Sequence, residues 1–285
     1  MHDCPNMPNN LSNILLLSFT VFLRVSFAEI TESFAMKVPP NTPIGSPGAV
    51  AGSSSVGWMS TWQNIVSEAR YSDSDLTMKG LSSSGGALNL RGEKKERAIG
   101  KAVVMRQIDS NYSGDIYGQF RFTSGNLLTD SVIALLVSVP GTEPPTPRNS
   151  IFSICPKRWG SNFGMIKAGE KDAKVESGVA CEAFQNYLVL WKLENLPSPG
   201  QRKKIQFKLW VLNSDQASHF ASSEFDESIL ESATVGSAAT QVCQTASVSI
   251  ANSKRTFVRG MVISLFSTAV PRLYFDEIHI SQKGF

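Results

Sequence analysis

The sequence is poor in the residues that catalysis and metal binding depend on. Three histidines and four cysteines are spread over 285 residues. None falls in a His-Glu-x-x-His or Cys-x-x-Cys arrangement, and there is no EF-hand loop, which removes the usual zinc and calcium signatures. A Gly-x-Ser-x-Gly elbow is also absent, so a hydrolase triad has no anchor. No apolar run reaches the roughly 20 residues of a membrane-spanning helix. The net charge is only +3. The densest basic run, Arg202-Lys203-Lys204, sits between a Pro/Gly turn and a strand-like segment and reads as a solvated hairpin shoulder. A nucleic-acid partner is therefore not expected.

What remains is an ordinary globular composition, 42% hydrophobic and 18% charged, sufficient for a core and unlike a disordered chain. Residues 1–28 stand apart. Ile14 to Leu23 is apolar except for Ser18 and Thr20, and Ser26-Phe27-Ala28 ends in a small-x-small pattern. This is the grammar of a signal peptide cleaved after Ala28, interrupted by Arg24, and it places the protein outside the cell or in its envelope. Residues 29–57 hold Pro39, Pro40, Pro43 and Pro47 and a Gly/Ser-rich run, the composition of a leader or linker. One domain is expected over 58–285. Cleavage would leave Cys155, Cys181 and Cys243, an odd number. Either Cys155 and Cys181 bridge neighbouring strands, or all three are buried thiols.

The domain reads as short strands separated by Gly, Ser, Asn, Asp and Pro. In Ile116–Thr123, Ile116, Gly118, Phe120 and Phe122 share one face, and Tyr117, Gln119, Arg121 and Thr123 the other. Ile205–Val211 repeats the alternation, with Trp210 on its polar face. Such a period suits a sheet buried on one side. Val132–Val139, Tyr187–Trp191 and Met261–Phe266 are apolar on both faces and read as central strands. Helical periodicity is weak, with short helices expected only at Thr61–Arg70 and Asp226–Ser232. The Ser/Ala/Thr-rich stretch Asp215–Lys254 reads as a long surface loop with one strand near Val248–Ile250. Some ten to twelve strands without intervening helices predict two packed antiparallel sheets, an all-β sandwich.

Several segments carry a family resemblance in their order. They are Tyr71-Ser-Asp-Ser-Asp-Leu, Gly80-Leu-Ser-Ser-Ser-Gly-Gly-Ala-Leu, Ile116-Tyr-Gly-Gln-Phe-Arg-Phe, Gly164-Met-Ile-Lys, Tyr187-Leu-Val-Leu-Trp-Lys, Ile205-Gln-Phe-Lys-Leu-Trp-Val and the closing Phe275-Asp276-Glu277-Ile278-His279-Ile280. Together they resemble secreted bacterial jelly-roll proteins similar to concanavalin A-like and laminin-G-like domains. The resemblance spans residues 58–283. It departs at His279, where the family has Arg, and in the expanded Asp215–Lys254 region. Members include lectins, adhesion modules and accessory domains, so the resemblance implies a jelly roll and little chemistry.

The candidate functional residues follow from this frame. Lys157-Arg158-Trp159-Gly160-Ser161-Asn162 offers an aromatic ring with guanidinium and amide groups, the set that binds sugars. Arg158, Trp159 and Asn162, with Trp210 as a second ring, are the expected ligand contacts; a ring folded over the sandwich edge is the structural alternative for Trp159. Asp73 and Asp75 are weak calcium candidates, since turn carboxylates more often bind backbone N–H groups. Asp276 alternates with Tyr274, Ile278 and Ile280, which places it on the core side. There it would accept hydrogen bonds from backbone N–H groups or Tyr274. Glu224 to Glu231 lacks the carboxylate spacing of a retaining glycosidase. His219 is expected to be exposed and His279 to make a cross-strand polar contact. The expected function is a secreted, non-catalytic binding module for a glycan. The alternatives are a structural or adhesive envelope protein with cell-surface protein partners, and then a polysaccharide-acting hydrolase.

Overall fold

Strand-forming runs pair wherever they find a neighbour, and here they build two sheets. The computed structural model describes residues 29–34, 39–43, 63–66, 69–73, 75–83, 85–91, 100–107, 114–125, 130–138, 152–155, 162–167, 174–196, 204–232, 241–249, 257–267 and 272–285. The first sheet runs in the order Gln241–Ser249 (β13), Lys204–Leu212 (β12), Asn186–Leu196 (β11), Gly114–Ser124 (β6), Arg272–Ser281 (β15), Ala87–Arg91 (β4) and Ala69–Ser72 (β3). Ile30–Glu32 (β1) adds an eighth strand against β15. The second sheet runs Lys174–Ala180 (β10), Asn162–Lys167 (β9), Phe152–Cys155 (β8), Asp130–Ser138 (β7), Phe257–Ser267 (β14), Gly100–Gln107 (β5) and Gln63–Val66 (β2). All these strand pairs are antiparallel. The chain repeatedly crosses between sheets, as at β4 to β5, β5 to β6 and β14 to β15, which is the wrapping of a jelly-roll sandwich.

The inner face of the eight-stranded sheet carries the expected row. Phe120 and Phe122 lie 5.8 and 5.4 Å from Phe275, ring to ring, and Trp191 stacks on Phe207 at 6.4 Å. Gly118 faces Trp191 across the β6–β11 pair, and a Cβ there would overlap the indole. Tertiary pairing overrides two local readings. The helix expected at Thr61–Arg70 is replaced by β2 and β3, which pair with β5 and β4. Within the stretch read as a leader, β1 pairs with Ile278–Ile280, and Phe34 is fully buried.

The outer face of the same sheet is apolar where β11 and β12 meet, and it is covered. Leu188, Leu190, Trp210 and Leu212 pack under Ser214–Ser222 (α1), Glu227–Ser232 (α2), Met78 and Phe285. An Asn213–Gln216 capping box starts α1. The stretch read as a surface loop thus supplies a lid of two helices and then β13, which contains the strand expected near Val248.

A bulge in β15 fixes the segment 75–83 to this face. The register with β6 shifts between Asp276 and His279, and Glu277 adopts a left-handed φ of 48°. The extra residue reverses the alternation, so Ile278 and Ile280 face the core while Asp276 lies on the outer side, opposite Arg121. This corrects the placement of Asp276 with Ile278 and Ile280. Asp276 is fully buried under the covering segment. It accepts hydrogen bonds from the N–H of Glu277 at 2.8 Å and of Leu76 at 3.4 Å, and it hydrogen-bonds the Asp75 side chain. These partners take the place expected of Tyr274. Arg121 donates to the carbonyls of Leu76 and Ser82. Burial first, then the nearby Glu277 charge and the bond to Asp75, push the Asp276 carboxyl up to about 9.

Two outcomes follow from these contacts. Gly118→Ala should cost about 1–3 kcal/mol through overpacking, read as a lower thermal midpoint; an unchanged midpoint would show that Trp191 moves aside freely. For Asp276, the folded chain keeps a proton that the unfolded chain releases above its ordinary value of 3.8. The group's stabilisation is therefore complete below that pH and declines as pH rises towards about 9. Asp276→Asn should flatten this decline in melts taken from pH 4 to 9, and parallel wild-type and variant profiles would contradict the assignment.

Candidate functional site: a polar row across the outer face

Beyond the lid, the outer face turns polar. Residues directly opposite in antiparallel strands present their side chains on the same face. The registers align Asn186 of β11, Thr123 of β6, Tyr274 of β15, Asn89 of β4 and Arg70 of β3. Five strands at about 4.8 Å spacing make this row about 19 Å long. It offers amide, hydroxyl, phenol and guanidinium groups in sequence.

The ends of the row are fixed by backbone partners. Asn186 Nδ2 donates to the Thr77 carbonyl at 3.0 Å, Thr123 Oγ1 to that of Gln185 at 2.8 Å, and Arg70 Nη1 to that of Asn41 at 3.3 Å. Asn89, fourth in the row, is different. It is 5% exposed, and its Oδ1 has no hydrogen-bond partner. A buried amide oxygen left without a donor costs roughly 1–3 kcal/mol. Its cross-strand neighbours are Tyr274, half-buried, and Arg70, partly exposed.

A second polar group lies at the opposite end of the face. Lys192 Nζ is 2.5 Å from Glu227 Oε1, 3.2 Å from Glu194, 3.7 Å from Asp115, and 4.8 Å above the Tyr117 ring. Lys208 meets Glu194 at 2.8 Å. Burial works against the Lys192 charge, but its bonds to Glu227 and Tyr117 outweigh it and hold the ammonium well above the ordinary lysine range. Burial likewise raises the Tyr117 phenol. Neither group is a base near neutral pH. The cluster ties α2, through Glu227, to the sheet.

Of the residues expected to contact a ligand, only the Trp210 side chain lies within the described part. Trp210 is fully buried, its Nε1 donating to the Leu230 carbonyl at 3.2 Å; the helical lid covers the face that alternation had left exposed. Arg158 and Trp159 lie outside the described residues. Asn162 begins β9, its side chain outside the described part. Asp73 is exposed, while Asp75 accepts from Ser83 Oγ and bonds Asp276. Among the described residues no three His, Cys, Asp or Glu side chains gather to hold a metal. Cys181 is a buried thiol, and the side chain of Cys155 in β8 lies outside the described part. His219 is exposed, and His279 Nε2 lies 3.0 Å from Glu29 Oε1 on the β1 side. The polar row itself is hidden in the sequence, because it is a property of strand register: of its members, alternation puts only Thr123 on a polar face.

No protein-family model matches the chain, and no curated protein does. Among solved structures, the chain is similar to the carbohydrate recognition domain of Emp47p, with 9% identity, 90% of this chain and 96% of that one covered, and a TM-score of 0.41. The metal-free Emp46p carbohydrate recognition domain gives 11%, 86%, 96% and 0.42. The PL-14 alginate lyase from Aplysia kurodai gives 11%, 73%, 87% and 0.43.

Proposed function

We propose that the protein is a non-catalytic glycan-binding module, exported by the apolar segment before Ala28, and that the row from Asn186 to Arg70 is its ligand surface. The observation that carries this reading is the buried Asn89 Oδ1 without a donor, set between a tyrosine ring and a guanidinium. Buried polar groups are normally satisfied; Asn89 Oδ1 is shut off from solvent, so a ligand hydroxyl reaches it once the Tyr274 or Arg70 side chain swings aside. Sugar hydroxyls donate and accept, which matches amides, a phenol and an arginine better than it matches an apolar ligand. The Lys192 cluster supports a non-catalytic role, because its lysine is committed to carboxylates and its tyrosine keeps its proton.

A structural role for Asn89 and a binding role predict opposite results. Asn89→Ala should leave the ligand-free thermal midpoint unchanged or raised, since it removes an unsatisfied group. It should also weaken binding to a responsive sugar on a polysaccharide panel at least tenfold, about 1.4 kcal/mol. Tyr274→Ala should weaken binding likewise. Wild-type protein that binds no polysaccharide, with or without calcium, would end this proposal.

A further inference from the structure

Phe184 stands at the Asn186 end of the row and is 77% exposed, the large hydrophobic residue most at odds with its surroundings among those described. Its φ is 61°, in the left-handed region that bulky side chains avoid. Exposure of the ring and the backbone conformation both cost free energy, so two independent penalties fall on one residue.

The loop that presents it is tightly held. Phe184 N–H donates to the Ser124 carbonyl at 2.6 Å, and Ala183 forms a bridge with Ser124. Beneath the turn, the buried Tyr187 hydroxyl donates to the Ala180 carbonyl at 3.0 Å and accepts from Glu182 N–H at 2.9 Å. Thr123 Oγ1 anchors Gln185, the next residue. The backbone that carries the ring is therefore pre-organised, which limits the ordering cost of any contact the ring makes. Two residues span at most about 7 Å, so Phe184 adjoins the terminal amide of the row.

Building on the glycan-binding reading above, we infer that Phe184 is the stacking platform of that site and sets the ligand class at this end: a neutral pyranose unit of an oligosaccharide. A phenyl ring has no hydrogen-bonding atom and is matched by the C–H face of a pyranose. Glu182, exposed two residues away, disfavours uronate or sulfate there. With the ring added to a row of about 19 Å, the surface takes several linked sugars rather than one.

The test is calorimetric titration with a ladder of neutral oligosaccharides from the polysaccharide that binds the wild type, and with uronate-containing oligomers of matched length. Phe184→Ala and Phe184→Gly should each lose at least tenfold in affinity for the longer neutral oligomers and little for a monosaccharide, while Phe184→Trp retains binding. The glycine variant relieves the backbone, so its melting midpoint should not fall. Affinity unchanged in Phe184→Ala, while Asn89→Ala still binds poorly, would overturn the stacking role and leave the row intact. Tighter wild-type binding of the uronate oligomers would overturn the neutral class, and wild-type binding to no oligosaccharide would overturn both readings.

Discussion

One constraint organises this molecule: the eight-stranded sheet is apolar on both faces over part of its width. The inner face meets the second sheet. The outer face presents Leu188, Leu190, Trp210 and Leu212, and each buried leucine is worth roughly 1.5–3 kcal/mol relative to exposure. Water cannot be left on that surface. The chain answers with an insertion between β12 and β13 that folds back as two short helices. Such helices are marginal alone and take their stability from packing, here on Phe220 and Leu230. Phe285 fills the remaining space edge-on between Trp210, Phe220 and Tyr117, at 5.8, 6.1 and 5.2 Å. Lys192 and Glu227 then clamp the rim. Towards the other end Thr123, Tyr274 and Asn89 replace leucines, and the outer face turns polar.

The architecture was legible in the sequence because it rests on period-two patterns. Ile116–Thr123 and Ile205–Val211 declared their faces, and the doubly apolar Tyr187–Trp191 announced a strand covered on both sides, as Leu188 and Leu190 are. What covered it was not legible. Trp210 stood on a polar face by alternation, and nothing local distinguishes a ring awaiting a sugar from one awaiting a helix packed from residues further along the chain. The last strand misled for a different reason. Alternation carries across Phe275-Asp276-Glu277-Ile278 only if no residue is inserted, and a bulge at a non-glycine φ of 48° leaves little trace in composition. The polar row failed to show itself because its members come from five strands and are joined only by register.

The buried acid links the lid to the row. Asp276 and Arg121 occupy the file of the sheet next to Tyr274 and Thr123, and both are spent on residues 75–83: one on the Leu76 N–H and Asp75, the other on the carbonyls of Leu76 and Ser82. The same segment offers the Thr77 carbonyl to Asn186 at the end of the row and Met78 to the apolar cluster under the helices. A carboxyl held neutral at physiological pH fits this packing, since it can share its proton with the Asp75 side chain. The proton on Asp276 thus stabilises a segment that borders both the leucine-lined and the polar parts of the face.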